Sequence, residues 1–75
     1  MQRVIKGVLY DTDNSVLIYF DENKGRRYYM TPRSHFFVMF ATGEIQVVSI
    51  DAMKDILGTY DIEKYIEIFG EPTEG

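Results

Sequence analysis

The sequence predicts an α+β domain in which an antiparallel sheet of four to five strands is followed by two short C-terminal helices packed on one face. Short apolar segments rich in β-branched and aromatic residues follow one another through residues 3–48, with turn-forming residues between them. After residue 49 the apolar residues recur at helical spacing. Strands grouped before helices are typical of the α+β class, and the length predicts a single domain, residues 1–75.

Five segments have the composition of β-strands. Residues 3–10 are predicted to form one strand, with Val4 and Tyr10 on the same face. Residues 35–41 are apolar on both faces, which predicts a central position in the sheet. The five predicted strands are residues 3–10, 16–20, 26–31, 35–41 and 45–48.

Two helices are predicted after the sheet. Ser49 is a suitable N-cap for the first, and Gly58 is expected to end it. Asp61 is predicted to cap the second, which should end at Gly70, and residues 72–75 are expected to form a flexible tail. The predicted core-facing stripes are Ile50, Met53, Ile56 and Leu57 in the first helix and Ile62, Tyr65, Ile66 and Phe69 in the second.

Helices on one face would leave the other face of the sheet open to water. Leu17, Phe37 and Met39 are apolar side chains that we expect on this open face. An exposed apolar patch of this kind marks an interface. The pattern therefore suggests a homodimer that forms through the open face of the sheet.

Residue composition argues against catalysis, metal binding and cofactors. The chain has no Cys and a single His, His35, so neither a nucleophile–base pair nor a zinc site of the usual kinds can form. The six Gly are scattered at the ends of predicted elements and do not form a phosphate-binding loop. We expect a protein that is not an enzyme and that uses no metal and no cofactor.

Nothing in the sequence predicts a membrane segment or an export signal. The longest apolar run, residues 36–41, is far shorter than the ~20 residues that cross a bilayer. The first residues are interrupted by charge and lack the apolar region of a signal peptide. Together with the absence of Cys, these features predict a cytoplasmic protein.

Charge is distributed unevenly along the chain, whose net charge is −4. Residues 1–39 carry six Lys or Arg and four acidic residues, whereas residues 40–75 carry two Lys and eight acidic residues. Carboxylates on a helical face can imitate the charge spacing of a nucleic-acid backbone and occupy a basic groove on a partner protein. A solvated helix face is the alternative explanation. The candidate partner-binding residues are Asp55, Glu63, Glu67 and Glu71.

A basic and aromatic hairpin is the second candidate surface. Its Lys and Arg side chains are suited to neutralise phosphates, and its Tyr rings are suited to stack on unpaired bases. Charges that protect an edge strand from aggregation are the alternative explanation for the same residues. The candidate nucleic-acid-binding residues are Lys24, Arg26, Arg27, Tyr28, Tyr29 and Arg33.

Four parts of the sequence resemble a family of short proteins from phages, plasmids and integrative elements of Firmicutes and gut bacteria. The stretches that carry the resemblance are Tyr10-Asp11-Thr12, Tyr28-Tyr29-Met30-Thr31 with Phe36-Phe37-Val38, Ser49-Ile50-Asp51-Ala52, and Tyr65-Ile66-Glu67-Ile68-Phe69-Gly70-Glu71. The sequence departs from the family pattern at Ser34, where the family has a hairpin Gly, and in residues 21–27, where the family has a longer segment.

This resemblance implies an accessory protein of a mobile element, and some members of the family are anti-CRISPR proteins. Such inhibitors are small, often acidic proteins without enzymatic activity that occlude a functional surface of a nuclease. The resemblance thus implies a protein-binding inhibitor of a host defence nuclease. The expected partner is a CRISPR–Cas effector in the cytoplasm of a bacterial host. The alternative function is a small nucleic-acid-binding accessory protein that uses the basic and aromatic hairpin.

Overall fold

Short strands separated by tight turns form the chain up to residue 48, and helices follow. The computed structural model describes all 75 residues. It confirms the α+β class, with a four-stranded antiparallel sheet, a two-stranded sheet and two C-terminal helices. The elements are β1 (Gln2–Ile5), β2 (Val8–Asp11), a short 3-10 helix (Thr12–Asn14), β3 (Val16–Asp21), β4 (Arg26–Met30), β5 (Phe36–Met39), β6 (Ile45–Val48), α1 (Ile50–Tyr60) and α2 (Ile62–Phe69), and residues 71–75 have no regular secondary structure.

The four-stranded sheet has the order β3-β4-β5-β6, and every neighbouring pair is antiparallel. β5 lies in its interior, between β4 and β6. Phe36, Phe37 and Val38 of β5 are all buried, although they point alternately to both faces. The prediction of a central strand covered on both faces is confirmed, although the strand comprises Phe36–Met39 and not the whole of residues 35–41.

The first predicted strand, residues 3–10, is instead a hairpin of β1 and β2, so that prediction is wrong. Lys6 and Gly7 form the two-residue turn between paired Ile5 and Val8, with φ angles of 51° and 79°. Two consecutive positive φ angles are typical of the type I′ turn, whose twist matches that of the strands it joins. The flanking residues are apolar on both faces, and therefore their spacing does not reveal the turn.

This hairpin covers the face of the sheet that the sequence predicts to be open. Phe37 is 0% exposed, because Tyr10 of β2 and Ile45 of β6 form a separate buried core with it. Met39 is half-buried beside this core, whereas Leu17, on edge strand β3, is 46% exposed. The expected open apolar face is therefore wrong for Phe37 and Met39, and it no longer supports a homodimer through that face.

The two helices cover the opposite face, which we call the helix face; the face under β1 and β2 is the hairpin face. Met53 and Leu57 of α1 are 0% exposed and share a core with Phe36 and Val38 of β5. α2 contributes side chains to the rim of this core. The α2 residues packed against it are Tyr65, Ile68 and Phe69.

Both helices begin with the side-chain caps that the sequence predicts. Oγ of Ser49 accepts a hydrogen bond from the backbone N–H of Ala52 at 3.1 Å. Oδ1 of Asp61 accepts one from the N–H of Lys64 at 3.1 Å. These caps satisfy N–H groups that have no partner within the helix. α2 ends before Gly70, as predicted.

α1 does not end at Gly58, as the sequence predicts, but continues to Tyr60. A Cβ atom at Gly58 would lie 3.8 Å from Cδ2 of Tyr65, so this Gly lies where α2 packs against α1. The first residues of the two helices also differ from expectation. Ile50 and Ile62, predicted to face the core, are 55% and 58% exposed.

β3 contains one more residue than the segment of β4 that it pairs with. Leu17 pairs with Tyr29, but Tyr19 pairs with Tyr28, so Ile18 has no partner of its own. This irregularity is a β-bulge, which locally interrupts the alternation of side chains. As a consequence, Ile18 and Tyr19 both lie on the helix face, where they pack in the same core.

Candidate functional site

The four acidic candidates do not form one continuous helical face. Asp55 is exposed on α1, and Glu63 and Glu67, which are one turn apart, are exposed on α2. Glu71 lies beyond the end of α2. Only Glu63 and Glu67 therefore share a helical face, opposite the side chains that α2 packs against the core.

The charge of these acidic residues is only partly compensated. Nζ of Lys64 lies 2.9 Å from Oε2 of Glu67, and this hydrogen bond and the charge of Glu67 raise the pKa of Lys64 above its ordinary value. Lys54, the other Lys of the helices, lies over the ring of Phe69 with its Nζ 5.4 Å from the centroid. The acidic candidates without an ion pair are Asp55, Glu63 and Glu71.

The Arg candidates of the basic hairpin lie on different surfaces. Arg26 and Arg27 are neighbours on β4, so their side chains leave opposite faces of the sheet. The guanidinium of Arg26 lies 5.1 Å from the ring centroid of Phe40, and that of Arg27 lies 4.8 Å from the ring centroid of Phe20. Each Arg thus covers an aromatic ring of its own face.

The other candidates of the basic hairpin are also dispersed. Tyr28 is 7% exposed in the core of the helix face, and Tyr29 stacks on Phe37 with ring centroids 5.0 Å apart. Because both rings are packed, they do not form a free platform on which bases could stack. Lys24 and Arg33 are exposed, but they lie in turns at opposite ends of β4. The structure therefore does not bring the predicted phosphate-binding and stacking residues together.

A surface that the sequence does not predict forms where the junction of α1 and α2 lies against β3. Tyr60, the last residue of α1, is 68% exposed, and its ring stacks on that of Tyr19 with centroids 6.0 Å apart and planes 14° from parallel. Tyr19 in turn lies 6.0 Å from the buried ring of Tyr28. Ile62, the first residue of α2, is 58% exposed. The junction surface, as we call it, consists of Tyr19, Tyr60 and Ile62 with the carboxylates of Asp21 and Asp61.

Negative charge surrounds the junction surface. Burial raises the pKa of the Tyr19 phenol above its ordinary value of 10.0, and the charges of Asp21 and Asp61 raise the pKa further. Asp21 accepts a hydrogen bond from the backbone N–H of Lys24, and Asp61 accepts one from the backbone N–H of Lys64. Neither carboxylate forms an ion pair. An exposed aromatic ring beside uncompensated carboxylates suits a partner that offers apolar and cationic groups together.

The residues of the junction surface carry only a weak signal in the sequence. Tyr19 lies in a predicted strand, Ile62 fits the predicted core stripe of α2, and Tyr60 follows the expected helix end. The available signal is the segment Tyr60-Asp61-Ile62, in which large apolar residues flank a capping acid. Its exposure depends on the extension of α1 past Gly58, which moves Tyr60 to the edge strand β3.

Depressions elsewhere on the surface are shallow and open. The largest lies between the β1–β2 hairpin and the β4–β5 turn, where Val8, Thr31 and His35 line it. Nowhere do three His, Asp or Glu side chains converge in a way that would hold a metal ion. Neither helix has the length and apolar character needed to cross a membrane.

Comparison with protein-family models, with curated proteins and with solved structures found no match for this chain. Three features remain on which a function can be argued. They are the geometry of the junction surface, the acidic residues beside it, and the resemblance of four short sequence stretches to proteins of mobile elements.

Proposed function

We propose that this chain is a non-catalytic protein-binding module that attaches to a basic surface of a host protein through the junction surface. The observation that carries the proposal is the ring of Tyr60, which is 68% exposed and yet held by its stack on Tyr19. A Tyr ordered before binding loses little conformational entropy when it is buried. Tyr is also among the residues that contribute most of the binding energy at protein interfaces.

Charge supports a basic partner. Asp21 and Asp61 belong to the junction surface, and Glu63 and Asp55 are exposed on the two helices that meet there without forming ion pairs. The combined field of these carboxylates accelerates association with a surface rich in Lys and Arg and disfavours acidic partners. Grooves that bind nucleic acid are surfaces of this basic kind.

The resemblance to proteins of mobile elements supports a particular class of partner. In this proposal, the partner is a host defence nuclease such as a CRISPR–Cas effector, and the module is an inhibitor that occludes its nucleic-acid-binding surface. The site of action would be the bacterial cytoplasm, where such nucleases encounter foreign DNA. No reaction is required of the module itself.

Binding to a purified CRISPR effector nuclease tests the proposal. The affinity of the wild-type chain would be measured by calorimetry with the effector alone and with the effector preloaded with guide and target nucleic acid. We expect binding to the free effector, and weaker binding once nucleic acid occupies the groove. Tyr60→Ala and Glu63→Lys should each weaken binding by about tenfold or more, as substitutions at interface hot spots do.

Two exposed positions away from the junction surface provide matched controls. Leu9→Ala removes an apolar side chain that is 53% exposed on β2, and Glu74→Lys reverses a charge in the exposed C-terminal residues. Both variants should bind as tightly as the wild type. Wild-type binding that Tyr60→Ala and Glu63→Lys leave unchanged would reject the junction surface as the contact.

The same preparations distinguish the alternative function. Direct binding of the chain to single-stranded or double-stranded nucleic acid, with an affinity that falls steeply as salt rises, would favour a nucleic-acid-binding protein. Among the candidates of the basic hairpin, the exposed cations available for that function are Lys24, Arg27 and Arg33.

A further inference from the structure

The four-stranded sheet has two edges, β3 and β6, and the β6 edge is partly closed by the β1–β2 hairpin. Nη1 of Arg3 donates a hydrogen bond of 2.6 Å to the carbonyl oxygen of Ile45, the first residue of β6. The hairpin also packs on the side chain of Ile45, which is 1% exposed. A side chain that occupies backbone groups of an edge strand hinders pairing with another strand.

The β3 edge is open by comparison. β3 pairs only with β4, and residues 16–20 contain no charged residue, no Pro and no Gly. Charged residues and Pro are common protections of an edge strand against pairing, and of the common protections β3 has only its bulge and the terminal Asp21. Three apolar side chains of β3 are also substantially exposed. They are Val16 at 60%, Leu17 at 46% and Phe20 at 43%.

The side chains of β3 point to the two faces in an order that is the same from either end. Leu17 and Phe20 lie on the hairpin face, since they pair with Tyr29 and Arg27 of β4. The bulge adds Ile18, so two consecutive residues lie on the helix face. From the first to the last residue of β3 the faces are helix, hairpin, helix, helix, hairpin, helix. The residues on the helix face are Val16, Ile18, Tyr19 and Asp21.

This order has a consequence for pairing with a second copy of the same strand. Directly opposite residues of an antiparallel pair point to the same face. A twofold axis between Ile18 and Tyr19 places Leu17 opposite Phe20 of the second copy, and every residue of β3 then faces one that points to the same side. A regular strand of six residues has different faces at its two ends and does not match itself in this register.

We propose that β3 pairs antiparallel with β3 of a second copy, so that two four-stranded sheets join into one of eight strands. Leu17 of each copy would pack against Phe20 of the other on the hairpin face. At the ends of the paired strands, Asp21 would lie opposite Val16, so that no like charges meet. This homodimer does not depend on the proposed partner, although β3 also carries Tyr19 and Asp21 of the junction surface.

The pairing closes on itself and suits the size of the chain. A twofold contact uses the same strand in both copies, and Arg3 hinders the β6 edge, so the assembly ends at two copies. Only ten of the 75 residues are buried in the single chain. Oligomerisation is a common source of added stability for domains this small, and the pairing would cover apolar residues of β3.

Mass in solution tests the dimer. Light scattering after size-exclusion chromatography at high micromolar concentration should give about twice the chain mass of 8.8 kDa for the wild type. Leu17→Lys places a charge in the contact and should give the mass of a single chain. Val47→Lys is the matched control, because Val47 is 50% exposed on edge strand β6 and should leave the dimer intact. A monomeric wild type, or a dimer that Leu17→Lys does not affect, would overturn the proposal.

Disulfide formation tests the register, because the chain contains no Cys. An equimolar mixture of Leu17→Cys and Phe20→Cys variants should cross-link under mild oxidation, since these positions lie opposite each other. Either variant alone should cross-link several-fold less, because its two thiols would be roughly 10 Å apart along the strands. Circular dichroism would establish that each variant is folded. An uncross-linked mixture of folded variants, or equal cross-linking of Leu17→Cys alone, would reject this pairing.

Discussion

The ring of Tyr10 meets the ring of Phe37 edge-on, with centroids 5.5 Å apart and planes at 64°. This contact joins the N-terminal hairpin to the central strand of the four-stranded sheet. It closes a second core on the hairpin face, in addition to the larger core under the two helices. The chain therefore has three layers, and the hairpin is an integral part of the fold.

Phe37→Ala should destabilise the protein by about 3–5 kcal/mol, the usual result of removing a fully buried aromatic side chain. Phe37 is 0% exposed and contacts the rings of both Tyr10 and Tyr29, so its loss leaves a cavity between β5 and the hairpin. Urea denaturation measures the change in the free energy of unfolding. Tyr60→Ala, at a ring that is 68% exposed, is the control and should cost much less. Equal losses would contradict a tightly packed hairpin face.

Most of the sheet and both helix starts can be predicted from local chemistry. Ser49 and Asp61 mark the helices because a side-chain acceptor at those positions satisfies free N–H groups. The β1–β2 turn is different. Lys6 has no special preference for the positive φ that it adopts, and the apolar residues around it fit either a strand or a hairpin. Whether these residues form a hairpin, with Tyr10 buried against Phe37, is decided by tertiary packing.

The junction surface could not be predicted for a related reason. Ile62 has the spacing of a core residue, but it lies in the first turn of α2, where the helix is not covered by the sheet. Tyr60 is exposed because α1 continues through Gly58. The exposure of the acidic candidates is predictable from the sequence, because carboxylates remain solvated unless they are paired. Their distribution over α1, α2 and the C-terminal residues depends on where the two helices end.

Gly58→Ala should stabilise the protein by about 0.5–1 kcal/mol, the usual difference between Ala and Gly within a helix. Gly58 lies inside α1, and an added Cβ would meet Cδ2 of Tyr65 at an ordinary contact distance of 3.8 Å. Thermal unfolding measures the change. Gly70→Ala is the control and should destabilise, because Gly70 has a φ of 91°. Destabilisation by Gly58→Ala would show that the helices pack too closely there for a methyl group.

Ser34→Gly should stabilise the β4–β5 turn by about 0.5–1 kcal/mol. Ser34 has a φ of 63°, a conformation that costs about 1–2 kcal/mol for residues with a side chain, although Gly loses more entropy on folding. Ser15→Gly is the matched control, because Ser15 has a φ of −131° and should lose stability. Urea denaturation of both variants compares them. Similar losses at the two positions would contradict strain at Ser34.

Alkaline pH should weaken the fold through Tyr19. Burial and the charges of Asp21 and Asp61 raise the pKa of its phenol above the ordinary value of 10.0, so the folded chain holds this proton more tightly than the unfolded chain. The resulting stabilisation is fully present below pH 10.0 and is lost as the pH rises through the folded-state pKa. The free energy of unfolding should therefore begin to fall as the pH rises above 10.0.

Tyr19→Phe isolates this effect, because Phe keeps a ring that can stack on Tyr60 but has no ionisable proton. We expect the free energy of unfolding of this variant to fall less steeply above pH 10.0 than that of the wild type. Tyr60→Phe is the comparison and should change the slope less than Tyr19→Phe, because it leaves the Tyr19 phenol in place and removes only the charge of Tyr60, which raises the pKa of Tyr19 less than burial does. Urea denaturation across this pH range provides the comparison. Identical slopes for Tyr19→Phe and the wild type would show that folding does not raise the pKa of the Tyr19 phenol.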